Sequence, residues 1–336
     1  MHVQVGSRKS AAAQLCLKER EREKERKKEM KYLNGLISLL LLFTTAIIAC
    51  SSSSIIDKND PYDENLAKSF AALSSVTYCE NKSAVMDWSC ETCKESNTPI
   101  VEGRINIVDA DDVRVVVAKL KNQNGCFMGF RGSSNVMNWI DDFEAWEVSP
   151  TAFNETCSGG CKVHGGFYKI WKTIETPVLE AVEAVGCKRD SKTDNVLYIT
   201  GHSLGAALTH LAMFTLDDMG WRIAKTYSYE APRVGNKAFA LDFQNRFTSR
   251  NVPIYRITHN QDPIVHLPPM DMDYHHVSTE VYYDAKGSYK ICDGSGEDHT
   301  CADQFWDVPS ELLLHSGDHC ASPLVSNGNI CNPSGC

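Results

Sequence analysis

The chain has 336 residues, 43% hydrophobic and 23% charged, which is enough apolar material for one large core and not the make-up of a disordered chain. Its formal charge of −9 is uneven: residues 1–50 hold ten Lys and Arg and five Asp and Glu, which leaves −14 on the remainder. Such a surface excludes nucleic acid and simple electrostatic docking on anionic membranes, so any lipid contact has to be apolar.

Lys18 to Lys31 is almost wholly charged with alternating sign and cannot pack into a core. From Met30 the pattern changes to Lys31, the apolar run Leu36 to Ala49, and Ser51 to Ser54, which is the form of a secretory signal peptide. The run is shorter than the roughly 20 residues of a membrane helix. The expected organisation is an upstream extension over 1–29, a signal peptide over 30–50 and one domain over 51–336, in a secreted protein without a stable membrane span. Ile47-Ile48-Ala49-Cys50 also has the form of a bacterial lipoprotein cleavage site, so a lipid anchor at Cys50 is the alternative. Of the 14 cysteines, all but Cys16 and Cys50 follow this leader, an even set that reads as disulfides. Cys90 to Cys93 reads as a small local bridge. Asn81 and Asn154 head glycosylation sequons.

Asp60-Pro61 has the form of a helix start, with Leu66, Phe70 and Leu73 at helical spacing. Val113 to Ala118 and Cys126 to Phe130 are apolar, partly β-branched runs joined by a polar turn, a predicted hairpin. A long helix is predicted from Phe167 to Val185, kinked at Pro177. Three strands follow at Asn195 to Thr200, Ala224 to Tyr229 and Pro253 to Thr258. Helical stretches at Ala206 to Asp217 and Asn236 to Phe247 separate them. Strand, helix, strand at about 30 residues per unit is the signature of a parallel sheet, which gives an α/β fold class.

The strand Val196-Leu197-Tyr198-Ile199 runs straight into Gly201-His202-Ser203-Leu204-Gly205, and Ala206 opens a helix. This is the context of a nucleophile elbow, in which small neighbours permit a tight turn around an exposed serine. Ser203 is the expected nucleophile, and the Leu204 N–H at the helix start faces a developing oxyanion. A serine hydroxyl needs a histidine to take its proton and a carboxylate to orient that histidine. Asp262, just past the third strand, lies on the same sheet edge as the elbow. His315 and His319 both satisfy the chain order Ser, Asp, His, and the residue pattern alone does not choose between them. A metal reading of His259, Asp262 and His266 lacks a fourth ligand; neither metal nor organic cofactor is expected.

Several ordered blocks extend this pattern. Phe130-Arg131-Gly132-Ser133 is followed by Asn138-Trp139-Ile140-Asp141-Asp142 and by Val163-His164-Gly165-Gly166-Phe167. The elbow, Ala231-Pro232-Arg233-Val234-Gly235-Asn236, Asp262-Pro263-Ile264-Val265-His266-Leu267-Pro268-Pro269 and His276 to Tyr283 come next, and Asp318-His319 ends the series. Over nearly the whole stretch from Tyr62 to Cys336 the chain resembles the fungal-type, or class 3, lipase family. The resemblance implies a single-domain α/β-hydrolase fold with a central, mostly parallel sheet flanked by helices. It also implies Ser203, Asp262 and His319 as catalytic residues, with Ser133 and the Leu204 amide as the oxyanion hole. Further implications are disulfides Cys79 to Cys331, Cys90 to Cys93 and Cys292 to Cys301. The remaining six cysteines, Cys157 and Cys161 among them, have no counterpart.

Two departures stand near the chemistry. Cys320-Ala321-Ser322 replaces a bulkier segment after His319, and Glu230 replaces a usual glycine. The latter is an extra carboxylate at the sheet edge, able to tune the triad and read here as solvated. Asn135 to Phe143 is the implied lid, with Trp139 and Ile140 as its apolar contacts toward an oil–water interface. The expected partner is a lipid or ester substrate at that interface, and the expected activity is hydrolysis of acylglycerol esters. Feruloyl-type esterase, phospholipase A1 and a non-catalytic lipid-binding relative are the alternatives.

Overall fold

A computed structural model of the chain describes residues 62–336 apart from 111–112, 134–145, 152, 154–156, 158, 278 and 306–311. The expected extension, signal peptide, anchor at Cys50, sequon Asn154 and lid residues Trp139 and Ile140 lie outside those residues. Helix α1 spans Glu64–Val76, a start later than the Asp60-Pro61 signal, because the Asp63 carboxylate accepts from the Asn65 and Leu66 amides and caps it. Short helices α2 (Lys82–Met86) and α3 (Glu91–Glu95) follow, and Asn81 caps α2 through the Ala84 amide.

Strands β1 (Ile100–Ala110), β2 (Val113–Leu120) and β3 (Cys126–Phe130) form an antiparallel meander that contains the predicted hairpin. After the two-residue strands β4 (Glu147–Val148) and β5 (Val163–His164), α4 (Gly165–Ala184) runs unbroken through Pro177. The predicted strand and helix units then appear as β6 (Val196–Gly201), α5 (Leu204–Asp218), β7 (Arg222–Ile223) and β8 (Thr226–Tyr229). They continue as β9 (Gly235–Asn236), α6 (Lys237–Thr248) and β10 (Ile254–His259). Strands β11 (Tyr274–His275), β12 (Glu280–Tyr283) and β13 (Tyr289–Ile291) complete the order.

Two stretches of sheet result, β1-β2-β3-β6-β7 and β13-β12-β10-β8, with β3, β6 and β7 parallel in one and β8, β10 and β12 parallel in the other. They meet at a parallel bridge between His202 and Tyr229, beside the elbow serine. A small sheet, β11-β9-β5-β4, ties the blocks around His164, Gly235 and Tyr274 together.

Alternation along β2 shows how the sheet is buried on both faces. Val113, Val115 and Val117 pack with Trp171 of α4 and Leu208 and Phe214 of α5, while Val116, Ala118 and Leu120 pack with Leu73 and Val76 of α1. Each such valine contributes about 1.5–3 kcal/mol when fully withdrawn from water. Burial on both sides explains why β2 reads as a continuous apolar run rather than a half-polar strand. Among the described residues no helix is long and apolar enough to cross a membrane.

Among the described residues the cysteines close six bridges: Cys79–Cys336, Cys90–Cys93, Cys126–Cys187, Cys157–Cys161, Cys292–Cys301 and Cys320–Cys331. Cys79 therefore pairs with Cys336 and not with Cys331 as the resemblance implies. Cys331 is taken by Cys320, because the chain past His319 folds back on itself: Ala321 bridges Asn329, and the Ile330 amide donates to the Cys320 carbonyl at 2.9 Å. The departure at Cys320 is thus a local fastening of the segment that carries His319.

Candidate active site

Ser203 sits between β6 and α5 at φ 60° and ψ −129°. For a residue with a side chain such a conformation costs on the order of 1–3 kcal/mol and persists only where the surroundings enforce it. Here its N–H donates to the Tyr229 carbonyl at 2.9 Å, and its own carbonyl accepts from Ala206 and Ala207 at 2.9 and 3.2 Å. The glycines are required by approach distance. A Cβ on Gly201 would lie 2.3 Å from the Gly205 carbonyl oxygen, and one on Gly205 would lie 2.1 Å from that of Phe130. As the first residue of α5, Leu204 presents an amide that has no partner one turn back within the helix.

Asp262 follows β10, and the structure brings His319 to it. His319 Nδ1 donates to Asp262 Oδ2 at 2.8 Å, and Asp262 Oδ1 accepts from the Ile264 amide at 2.8 Å. Burial alone would push the Asp262 carboxyl up; the His319 charge and the hydrogen bonds outweigh it and hold the group below its usual range. With Nδ1 committed to Asp262, the basic nitrogen available for proton transfer is Nε2. Ser203 Oγ and His319 Nε2 are both buried and carry no hydrogen bond among the described residues. His315 is directed elsewhere, its Nδ1 lying 3.6 Å from Asp318 Oδ2.

The residue beside the elbow serine has a place in the site that the sequence did not disclose. His202 Nε2 and the His319 carbonyl oxygen are 2.7 Å apart, and His202 Nδ1 is 2.6 Å from the Tyr78 hydroxyl. A carbonyl only accepts, so Nε2 carries the proton and Nδ1 accepts from Tyr78. Burial drives the His202 pKa down to about 3, which keeps the ring neutral. Tyr78 in turn accepts from the Gly132 amide at 3.1 Å. A Cβ on Gly132 would lie 2.9 Å from Ser203 Cβ, so the segment leading into Ser133 lies directly over the elbow. No motif marks Tyr78; only the approach of the turn after α1 to the elbow after β6 reveals the link.

Glu230 is not solvated. It is 2% exposed and lies against Asp262, with Oε2 accepting from the His259 amide at 3.1 Å. Of the residues in the metal reading, His259 has its Nδ1 3.4 Å from the Asp318 carbonyl oxygen and Asp262 accepts from His319.

Residues 127–272 match the family model described as lipase (class 3). The secreted mono- and diacylglycerol lipase A of Penicillium cyclopium is 31% identical over 198 residues, 57% of this chain and 61% of that protein. The secreted mono- and diacylglycerol lipase 1 of Fusarium solani is 32% identical over 213 residues, 60% of this chain and 58% of that protein. The chain thus spans about three-fifths of the length of these curated relatives. Lipase II from Rhizopus niveus shares the fold with a TM-score of 0.64 at 22% identity, over 81% of this chain and 96% of that one. The matched segment holds β3 from its second residue, Ser133, the elbow and the Asp262 loop, and His319 lies beyond it. Over residues 127–272 the chain is similar to the class 3 lipases.

Proposed function

We propose that this chain hydrolyses carboxylic esters of acylglycerols through an acyl-enzyme on Ser203. The observation that carries the proposal is the buried constellation at one sheet edge: an elbow serine, and a histidine whose Nδ1 is held by Asp262 while its Nε2 and Ser203 Oγ are left without partners. Orphaned buried polar atoms are costly, and two of those among the described residues are the ones a reacting ester would engage. The mono- and diacylglycerol lipases among its relatives support the acylglycerol class.

Ser203 Oγ attacks the ester carbonyl as His319 Nε2 takes its proton, and the anionic Asp262 stabilises the resulting imidazolium. The carbonyl oxygen gains negative charge at the N-terminus of α5, where the Leu204 amide and the Ser133 hydroxyl donate to it. His319 then returns the proton to the departing alcohol. Water, activated by the same nitrogen, releases the fatty acid and frees Ser203. No step draws on a metal or an organic cofactor.

Ser203 and His319 are each 1% exposed, which keeps bulk water from the reacting atoms. The apolar residues Val136, Met137, Trp139, Ile140 and Phe143 suit a lid that opens on an oil–water interface. Six disulfides among the described residues support passage through an oxidising compartment and secretion.

The test compares wild type with Ser203→Ala on short- and long-chain esters, below and above the emulsion threshold. Wild type should accelerate when the substrate forms an interface, and Ser203→Ala should lose turnover and fluorophosphonate labelling while keeping its circular dichroism. Unchanged hydrolysis in the variant overturns the mechanism; equal rates on soluble esters alone point to an esterase of another substrate class.

A further inference from the structure

Glu230 stands directly after β8 with its backbone at φ 49°, a conformation that glycine adopts freely and a residue with a Cβ does not. The strained position delivers its side chain into the site. Its carboxyl group interacts electrostatically with that of Asp262, and the two residues, 2% and 1% exposed, are both closed off from water. Carboxylate oxygens only accept, so a hydrogen bond between two carboxyl groups requires that one of them carry a proton.

The donors around the pair decide which. Both oxygens of Asp262 already accept, one from His319 Nδ1 and the other from the Ile264 amide, each at 2.8 Å. Glu230 receives one N–H, from His259 at 3.1 Å. The other titratable groups facing it make ionisation costlier. Glu280 of β12 adds negative charge, Tyr282 on the same strand is neutral, and the positive charge that His319 acquires in the reaction is answered first by Asp262. Burial first, then the Asp262 charge, pushes the Glu230 carboxyl well above its ordinary range.

We propose that Glu230 is a positioning residue of the Ser203 site: a neutral carboxylic acid that donates its proton to Asp262 and so sets the orientation and the basicity of that carboxylate. The inference rests on the triad reading given above. A donor on Asp262 draws off part of its charge and weakens its grip on protonated His319. The acid limb of the pH–rate profile then lies lower than an undonated aspartate would put it.

The experiment uses wild type, Glu230→Gln, which keeps a neutral donor, and Glu230→Gly, which removes it while relaxing the positive φ. The pH dependence of kcat/KM on a soluble short-chain ester is measured for each. Glu230→Gln should retain the wild-type acid limb, and Glu230→Gly should move it up by about 0.5–1 pH unit. An acid limb that falls in Glu230→Gln means Glu230 was ionised, and three superimposed profiles mean it only fills space; either result overturns the proposal. Infrared difference spectra at neutral pH provide a readout that needs no turnover. A protonated-carboxyl band present in wild type and lost in Glu230→Gln supports the proposal, and identical spectra overturn it. Hydrolysis that survives Ser203→Ala would overturn the triad reading while the spectra still locate the proton.

Discussion

The Tyr78 hydroxyl serves two buried groups at once, donating to His202 Nδ1 at 2.6 Å and accepting from the Gly132 amide at 3.1 Å. Tyr78→Phe strands both. The expected loss is about 1–3 kcal/mol in urea denaturation, the cost of unsatisfied buried polar groups. Because His202 also holds the His319 carbonyl, kcat should fall with KM little changed. A stability loss with kcat intact would confine Tyr78 to support of the fold. At this scale Ser203 was legible because strand, elbow and helix are contiguous in sequence. Selecting His319 over His315 was not legible from the residue pattern, since both lie near the C-terminus and only the chain's return to the sheet edge presents one of them to Asp262.

Asn236 shows what single side chains do for elements. Its Oδ1 accepts from Phe239 at the start of α6 at 3.0 Å and from the Lys162 amide at 3.1 Å, while Nδ2 donates to the Gly160 carbonyl at 3.2 Å. It therefore caps α6 and fastens that helix to the strand β5 region. Asn236→Ala should cost at least the ~1–2 kcal/mol of a lost helix cap, read as a shift of the urea midpoint with unchanged slope. A shift within error would show that water replaces all three bonds. The long elements α4, α5 and α6 were readable because their apolar residues recur at helical spacing and their caps are local. The two-residue strands β4, β5, β7, β9 and β11 were not, since so short a strand has no alternation to read and exists only through its partners.

Across the whole molecule, burial sets the pH response. His202 and His210 are driven down to about 3 and His266 to about 4, in each case chiefly by desolvation, and His276 falls well below its usual value for the same reason. Each binds more protons unfolded than folded between about pH 6.5 and the depressed value, so each stabilises the fold above pH 6.5 and loses that contribution as pH falls. Glu230 acts in the opposite direction: its raised folded value makes its burial increasingly unfavourable as pH climbs past about 4.3. Asp303, whose carboxyl is also pushed up by burial, acts with Glu230, but four histidines outweigh the two, and calorimetry should show Tm falling by about 10 °C or more from pH 6.5 to pH 4.5. Glu230→Gln should raise Tm at pH 8 and not at pH 4. A Tm that stays level across that window contradicts the burial of neutral histidines.

By itself the sequence determined the long helices, the strands β2, β3, β6, β8 and β10, the elbow that makes Ser203 the candidate nucleophile and the likeness to class 3 lipases, because periodicity, caps and the elbow depend on residues close along the chain. Tertiary structure decided what depends on residues brought together from afar. It set Cys336 rather than Cys331 against Cys79, buried Glu230 on Asp262, and joined Tyr78, His202 and His319 in one hydrogen-bonded line. Each of these contacts spans separate elements meeting at the sheet edge, where packing and the exclusion of water, not neighbouring sequence, choose the partner.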